Sequence, residues 1–176
     1  MPITPAVVEA INNQIQAEFQ SAYQYLAMSA WFHENNLPGC AHWMNIQWQE
    51  ETAHAMKLFG YVHDRGGAVT LQAITAPEHT YASPLDVFRA VREHEAWITS
   101  RITELYDIAV AHRDLPLQIM LQWFISEQVE EEAVVDSIIE RLQMIGGDGP
   151  SIYLLDRELG GRPGGDAVHS STAEQH

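Results

Sequence analysis

The chain has 176 residues, 46% of them hydrophobic, which suits one domain with a sizeable core. Nine Lys and Arg against 24 Asp and Glu leave a formal net charge of −15. That balance argues against a nucleic-acid or anionic-membrane surface, both of which need clustered Lys and Arg; it suits a handler of cations, although acidity alone is shared by many ordinary proteins.

Met1-Pro2-Ile3-Thr4-Pro5 carries no basic-then-apolar leader, and no later apolar run reaches membrane-spanning length, so a soluble cytoplasmic protein is expected. Thr4-Pro5 reads as an N-cap with proline at the first helical position. The helix it opens is predicted to run to about Asn35. Ile11, Ile15, Ala22, Tyr25 and Phe32 form its apolar stripe, and Glu18 sits within that stripe. Leu37-Pro38-Gly39 breaks the chain. A second helix is expected from about Gly39 to Arg65, ended by Gly66-Gly67. Its stripe holds Met44, Leu58 and Tyr61, with Glu51 and His54 in the middle. The lone Cys40 excludes an internal disulfide, and no CxxC is present for thiolate-bound metal or redox chemistry.

Residues 67 to 82 form a connection long enough to cross a whole bundle. Ser83-Pro84-Leu85-Asp86 opens a third helix with a cap, a proline and an acidic first turn. Phe88, Val91, Ile98, Ile102, Leu105 and Ala109 make its stripe, interrupted by Glu95. Asp114-Leu115-Pro116 starts a fourth helix that should run to about Ile145, before Gly146-Gly147. Leu121, Phe124, Val135, Ile138, Leu142 and Ile145 are its apolar positions, and Gln128 and Glu131 fill the gap. A short fifth helix is expected from about Ser151 to Leu159, and 161–176 read as a disordered tail behind a single 1–160 domain. Neither β-type alternation nor a solenoid repeat is visible, so the fold class is all-α.

Each long helix thus has a polar interruption near its own midpoint. Midpoints stay level whether neighbouring helices run up or down. Glu18, Glu51, His54, Glu95, Gln128 and Glu131 should therefore converge at one depth. Residues three apart share a helix face, so Glu51-x-x-His54 presents a carboxylate and an imidazole together. An unpaired carboxylate in a dry core costs several kcal/mol or stays protonated, and several at one level repel. Cations are the simplest compensation. Carboxylates with one imidazole suit iron, manganese or zinc. The competing structural reading is a buried polar network that holds the bundle in register.

This pattern resembles the non-haem bacterial ferritins, within the ferritin-like di-iron carboxylate proteins. The resemblance spans roughly residues 5 to 160. It rests on Glu18-Phe19 with Tyr25, on Glu50-Glu51-Thr52-Ala53-His54, and on Trp123-Phe124-Ile125-Ser126-Glu127-Gln128-Val129-Glu130-Glu131. It implies a ferritin-like four-helix bundle with a long crossover between helices 2 and 3 and a short fifth helix. It also implies a ferroxidase that oxidises Fe(II) with dioxygen or hydrogen peroxide and stores ferric mineral in a homo-oligomeric cage, a closed assembly of about 24 subunits.

By the same resemblance, Glu18, Glu51 and His54 would hold one iron, and Glu51, Glu95 and Glu131 the second. Gln128 would lie beside the first iron. Glu50, Glu127, Glu130 and Glu131 would serve a third position; their other reading is a solvated acidic face. Tyr25 would be the electron-donating tyrosine near the site, or plain core. Where the symmetric pattern has a second Glu-x-x-His, this chain has Gln128-x-x-Glu131, so the two iron positions should differ. Thr52 stands where bacterioferritins carry a haem-ligating methionine, so no haem is expected. His33, His42, His63, His79, His94 and His112 read as surface or satisfied histidines, and Trp123 as the tryptophan nearest the site.

Overall fold

A computed structural model describes residues 3–164, and the expected tail lies almost wholly outside them. The helices are α1 (Pro5–Glu34), α2 (Pro38–Asp64), α3 (Pro84–Ala111), α4 (Leu115–Ile145) and α5 (Gly149–Leu159). No strand occurs among the described residues, and the fold is the all-α bundle expected.

Local chemistry sets these boundaries. Every helix has a proline at one of its first two positions, where the missing N–H would have no helical partner anyway. Thr4, Ser83, Asp114 and Asp148 cap α1, α3, α4 and α5 by accepting from Val7, Asp86, Leu117 and Ser151 N–H. The side chain preceding α2 is Leu37, which cannot cap. Asp156 of α5 supplies the missing acceptor: its Oδ1 takes the Cys40 N–H at 2.7 Å. At Gly39 a Cβ would sit 1.7 Å from the Asp156 carbonyl oxygen, so α5 packs onto α2 only because that residue is glycine. At the far end of α2, Gly66 has φ +74°, Gly67 N–H reaches Val62 O at 2.8 Å and Gly66 N–H reaches His63 O at 2.9 Å. This double bond-back closes the last turn.

α1 pairs with α2 across a tight turn, and α3 pairs with α4 in the same way. The long connection after α2 returns the chain along α1, so α3 begins near the end where α1 finishes. Nothing in that connection is helical. It is held by an amide ladder on one edge of α1. Asn12 Nδ2 donates to Ala68 O at 3.2 Å, and its Oδ1 accepts Thr70 N–H at 3.2 Å. Gln16 donates to Ala73 O at 3.2 Å. Gln20 and Gln24 each make a two-way pair, Gln20 with Thr75 (3.1 and 2.7 Å) and Gln24 with Glu78 (2.9 and 3.2 Å). Positions 12, 16, 20 and 24 are four apart and share a face.

The apolar core comes in two halves. One gathers Val7, Ile11 and Ile15 with Leu58, Val62, Ile98 to Ala109, and Leu117 to Phe124. The other gathers Tyr25 to Phe32 with Cys40 to Met44, Phe88, Val91, Val135 to Leu142, and α5 residues Leu155 and Leu159. In each long helix, the expected polar interruption falls between the two sets. The mid-level layer is thus flanked by oil at both ends.

Candidate metal centre

Glu18, Glu51 and Glu95 have no exposed surface, and His54 is 5% exposed. α1 and α2 deliver Glu18, Glu51 and His54 to one point, where one ligand atom from each lies within 4.8 Å of the others. Within the Glu-x-x-His turn, His54 Nδ1 is 3.6 Å from Glu51 Oε2. Gln14, one turn before Glu18, donates to Glu18 Oε1 at 2.8 Å. The remaining oxygens, Glu18 Oε2 and both of Glu51, are buried with no hydrogen-bond partner.

Glu95 and Glu131 stand around the same Glu51. Tyr25 O–H donates to Glu95 Oε1, and Gln128 Nε2 donates to Glu95 Oε2 at 3.0 Å. Gln47, fully buried on α2, donates to Glu131 Oε2 at 2.9 Å. Among the described residues, Glu95 and Glu131 do not join Glu51 in a second group as compact as the first. The hydrogen bonds of Gln128 go to Glu95 and to Thr99 Oγ1, not to the Glu18–Glu51–His54 group.

Electrostatics follow from burial. Loss of water, then the Glu51 charge, pushes the Glu18 carboxyl well up. Burial and then Glu95 do the same to Glu51. Burial also raises Glu95, against the hydrogen bonds from Tyr25 and Gln128. Glu131 is pushed up to about 7 by burial, then by Glu95 and Glu50. Burial, then the Glu95 carboxylate, drives the Tyr25 phenol upward, so it stays a hydrogen-bond donor. Without a cation, burial and mutual repulsion shift these carboxyls toward the protonated form.

Orphaned buried oxygens need a positive partner, and these are hard oxygen donors beside one imidazole. The donor set fits a divalent first-row metal. Trp123 roofs the imidazole, ring to ring at 5.3 Å, and Lys57 Nζ lies 3.5 Å from the Trp123 ring centre.

Among the described residues, Glu50, Glu127, Glu130 and Glu131 form no group as compact as the Glu18–Glu51–His54 one. Glu50 pairs with Arg162 at 2.8 Å. Glu127 is half-buried and Glu130 is exposed. His94 is not a plain surface histidine. Its ring sits edge-on to Tyr25 with centroids 6.4 Å apart, Nε2 is buried without a partner, and burial lowers its pKa to about 4.

A family model described as a ferritin-like domain matches residues 8–145. The chain belongs to the ferritin-like family. It is similar to the bacterial non-heme ferritin of Campylobacter jejuni, 38% identical over 89% of this chain and 94% of that one. A bacterial non-heme ferritin of Bacteroides fragilis is 39% identical over 91% of this chain and 99% of its own length. Among solved structures, an open-pore ferritin from the hyperthermophilic archaeon Archaeoglobus fulgidus superimposes with TM-score 0.90 at 46% identity, covering 92% of this chain and 98% of that one.

Within this ferritin-like chain, sequence reasoning missed Gln14, Gln47 and Arg162. Gln14 lies four residues before Glu18, and Gln47 four before Glu51, so a search one turn upstream of each ligand would have found both. Arg162 carried no such signal, since nothing local says that the chain after α5 turns back toward α2.

Proposed function

We propose that this ferritin-like protein stores iron and oxidises it on the way in. Fe(II) is the substrate, taken at a mid-bundle pair of positions without haem. One is formed by Glu18, Glu51 and His54, the other by Glu51, Glu95 and Glu131, with Glu51 shared between them. The observation that carries this reading is the set of buried, partnerless oxygens on Glu18 and Glu51 beside His54. Two divalent ions would balance four carboxylates and favour their deprotonated form.

Each Fe(II) gives up one electron. Two of them reduce dioxygen, with two protons, to hydrogen peroxide, or reduce peroxide, with two protons, to water. A carboxylate-rich site favours Fe(III) over Fe(II) and so lowers the cost of releasing the electron. Tyr25, hydrogen-bonded to Glu95, would be the electron-donating tyrosine, supplying one electron to the oxidant in place of an Fe(II) and giving up its phenolic proton. Gln128 and Gln14 orient Glu95 and Glu18. Ferric iron then passes to mineral inside a closed cage of about 24 copies. The resemblance offers Glu50, Glu127, Glu130 and Glu131 as a third iron position.

The experiment is an anaerobic Fe(II) titration followed by oxygen, read by absorbance, on the native protein and on Glu18→Gln and His54→Ala. Rapid oxidation of two irons per subunit, lost in both variants, is expected. Oxidation that is unchanged in both variants would overturn the assignment.

A further inference from the structure

Just after α5 the chain turns back onto α2 and places one guanidinium at the rim of the metal layer. Arg162 Nη2 donates to Glu50 Oε2 at 2.8 Å, and Nη1 donates to Gln47 Oε1. The other end of the Gln47 amide donates to Glu131 Oε2 at 2.9 Å. One fixed cation therefore contacts Glu50 directly and Glu131 through one relay. The segment is well anchored. His42 Nε2–H donates to the Arg162 carbonyl at 2.9 Å, and the guanidinium lies 5.0 Å from the Trp43 ring centre. Gly160 passes close to Gly39, where an added Cβ would meet the Gly39 Cα at 3.1 Å. The side chains of Arg162 and Glu50 are 24% and 22% exposed, so the pair is partly shielded from water.

We propose that Arg162 is a built-in counter-cation that keeps a metal ion off Glu50 and fixes Glu131 toward the inner layer, restricting tight binding to the inner positions. This rests on the iron reading above. An ion at Glu50 must displace a guanidinium that is always charged and forks between two acceptors. Removing that charge takes away the cation that Glu50 contacts directly and Glu131 reaches through Gln47, which is an invitation to a metal. Arg162 acts through Glu50 and Gln47, so it is a positioning residue and not a catalytic one.

The test uses redox-inert Zn(II) and calorimetry on the assembled protein, so that iron oxidation is not the readout. The wild type, Arg162→Gln, Arg162→Lys and the double variant Arg162→Gln/Glu50→Gln are compared. Arg162→Gln is expected to add one Zn(II) per subunit or to tighten the weakest binding step roughly tenfold, the factor that ~1.4 kcal/mol represents. Adding Glu50→Gln should abolish the gain, and Arg162→Lys should show a smaller one. Should Arg162→Gln fail to assemble, Arg162→Lys carries the comparison. Superimposable isotherms for the wild type and the Arg162 variants, or weaker binding in those variants, would overturn this inference while leaving the iron reading intact. Failure of every protein to take up Zn(II) would sink both.

Discussion

The Tyr25 hydroxyl donates to Oε1 of Glu95, joining α1 to α3 inside the dry layer between the two apolar halves. It is one of two donors on that carboxyl, the other being Gln128. Replacing Tyr25 by Phe removes the hydroxyl and leaves Glu95 Oε1 buried without a partner. The metal-free protein should lose about 1–3 kcal/mol, the cost of an unsatisfied buried acceptor. Thermal melts of the metal-free protein check this, and the loss should shrink once metal is bound.

Gln14 is the donor that fixes Glu18. Gln14→Leu keeps the shape and removes the amide. Partners that orient metal ligands commonly account for about 10–100-fold in affinity, so Zn(II) or anaerobic Fe(II) should bind more weakly by that order. Calorimetric titration measures it. The binding stoichiometry should not change.

The buried carboxyls give the metal-free protein an inverted pH dependence. Their folded pKa values lie above the unfolded ones, so the native state holds more protons than the unfolded state across that window. Stability therefore falls as pH rises. For Glu131 the window runs from 4.5 to about 7; Glu18, Glu51 and Glu95 shift in the same direction. The metal-free melting temperature should decline between those pH values. Saturating Zn(II) should reverse the slope, because metal binds the deprotonated form and releases protons. Melts across pH 5 to 8, with and without Zn(II), decide the sign.

The crossover depends on its amide ladder. Gln20 alone makes two hydrogen bonds to Thr75. Gln20→Ala should cost about 1 kcal/mol, a typical net value for partly exposed hydrogen bonds. Replacing Gln16, Gln20 and Gln24 together should free residues 73–78 while the helices persist. Hydrogen exchange at the Thr75 and Glu78 amides should accelerate, and exchange in the core of α1 should not.

Much of this was legible in the sequence because it is local. Proline at the helix starts, capping side chains and glycine after α2 fix boundaries within a residue or two. The stripe of threes and fours reveals which face is dry, and Glu18, Glu51 and Glu95 are conspicuous because charge is so costly there. What stayed hidden depends on distant partners. The cap of α2 comes from Asp156, far along the chain. Asn12, Gln16, Gln20 and Gln24 look like ordinary surface polarity until the connection after α2 is laid against them. Glu50 reads as a free ligand, and only the return of Arg162 shows it paired.

The most direct measurement is an anomalous difference map at the iron edge, from crystals grown metal-free and soaked anaerobically in Fe(II). The account predicts one peak among Glu18, Glu51 and His54 and a second between Glu51, Glu95 and Glu131. A map with no peak in that layer, or with iron confined to exposed acidic side chains, would contradict it.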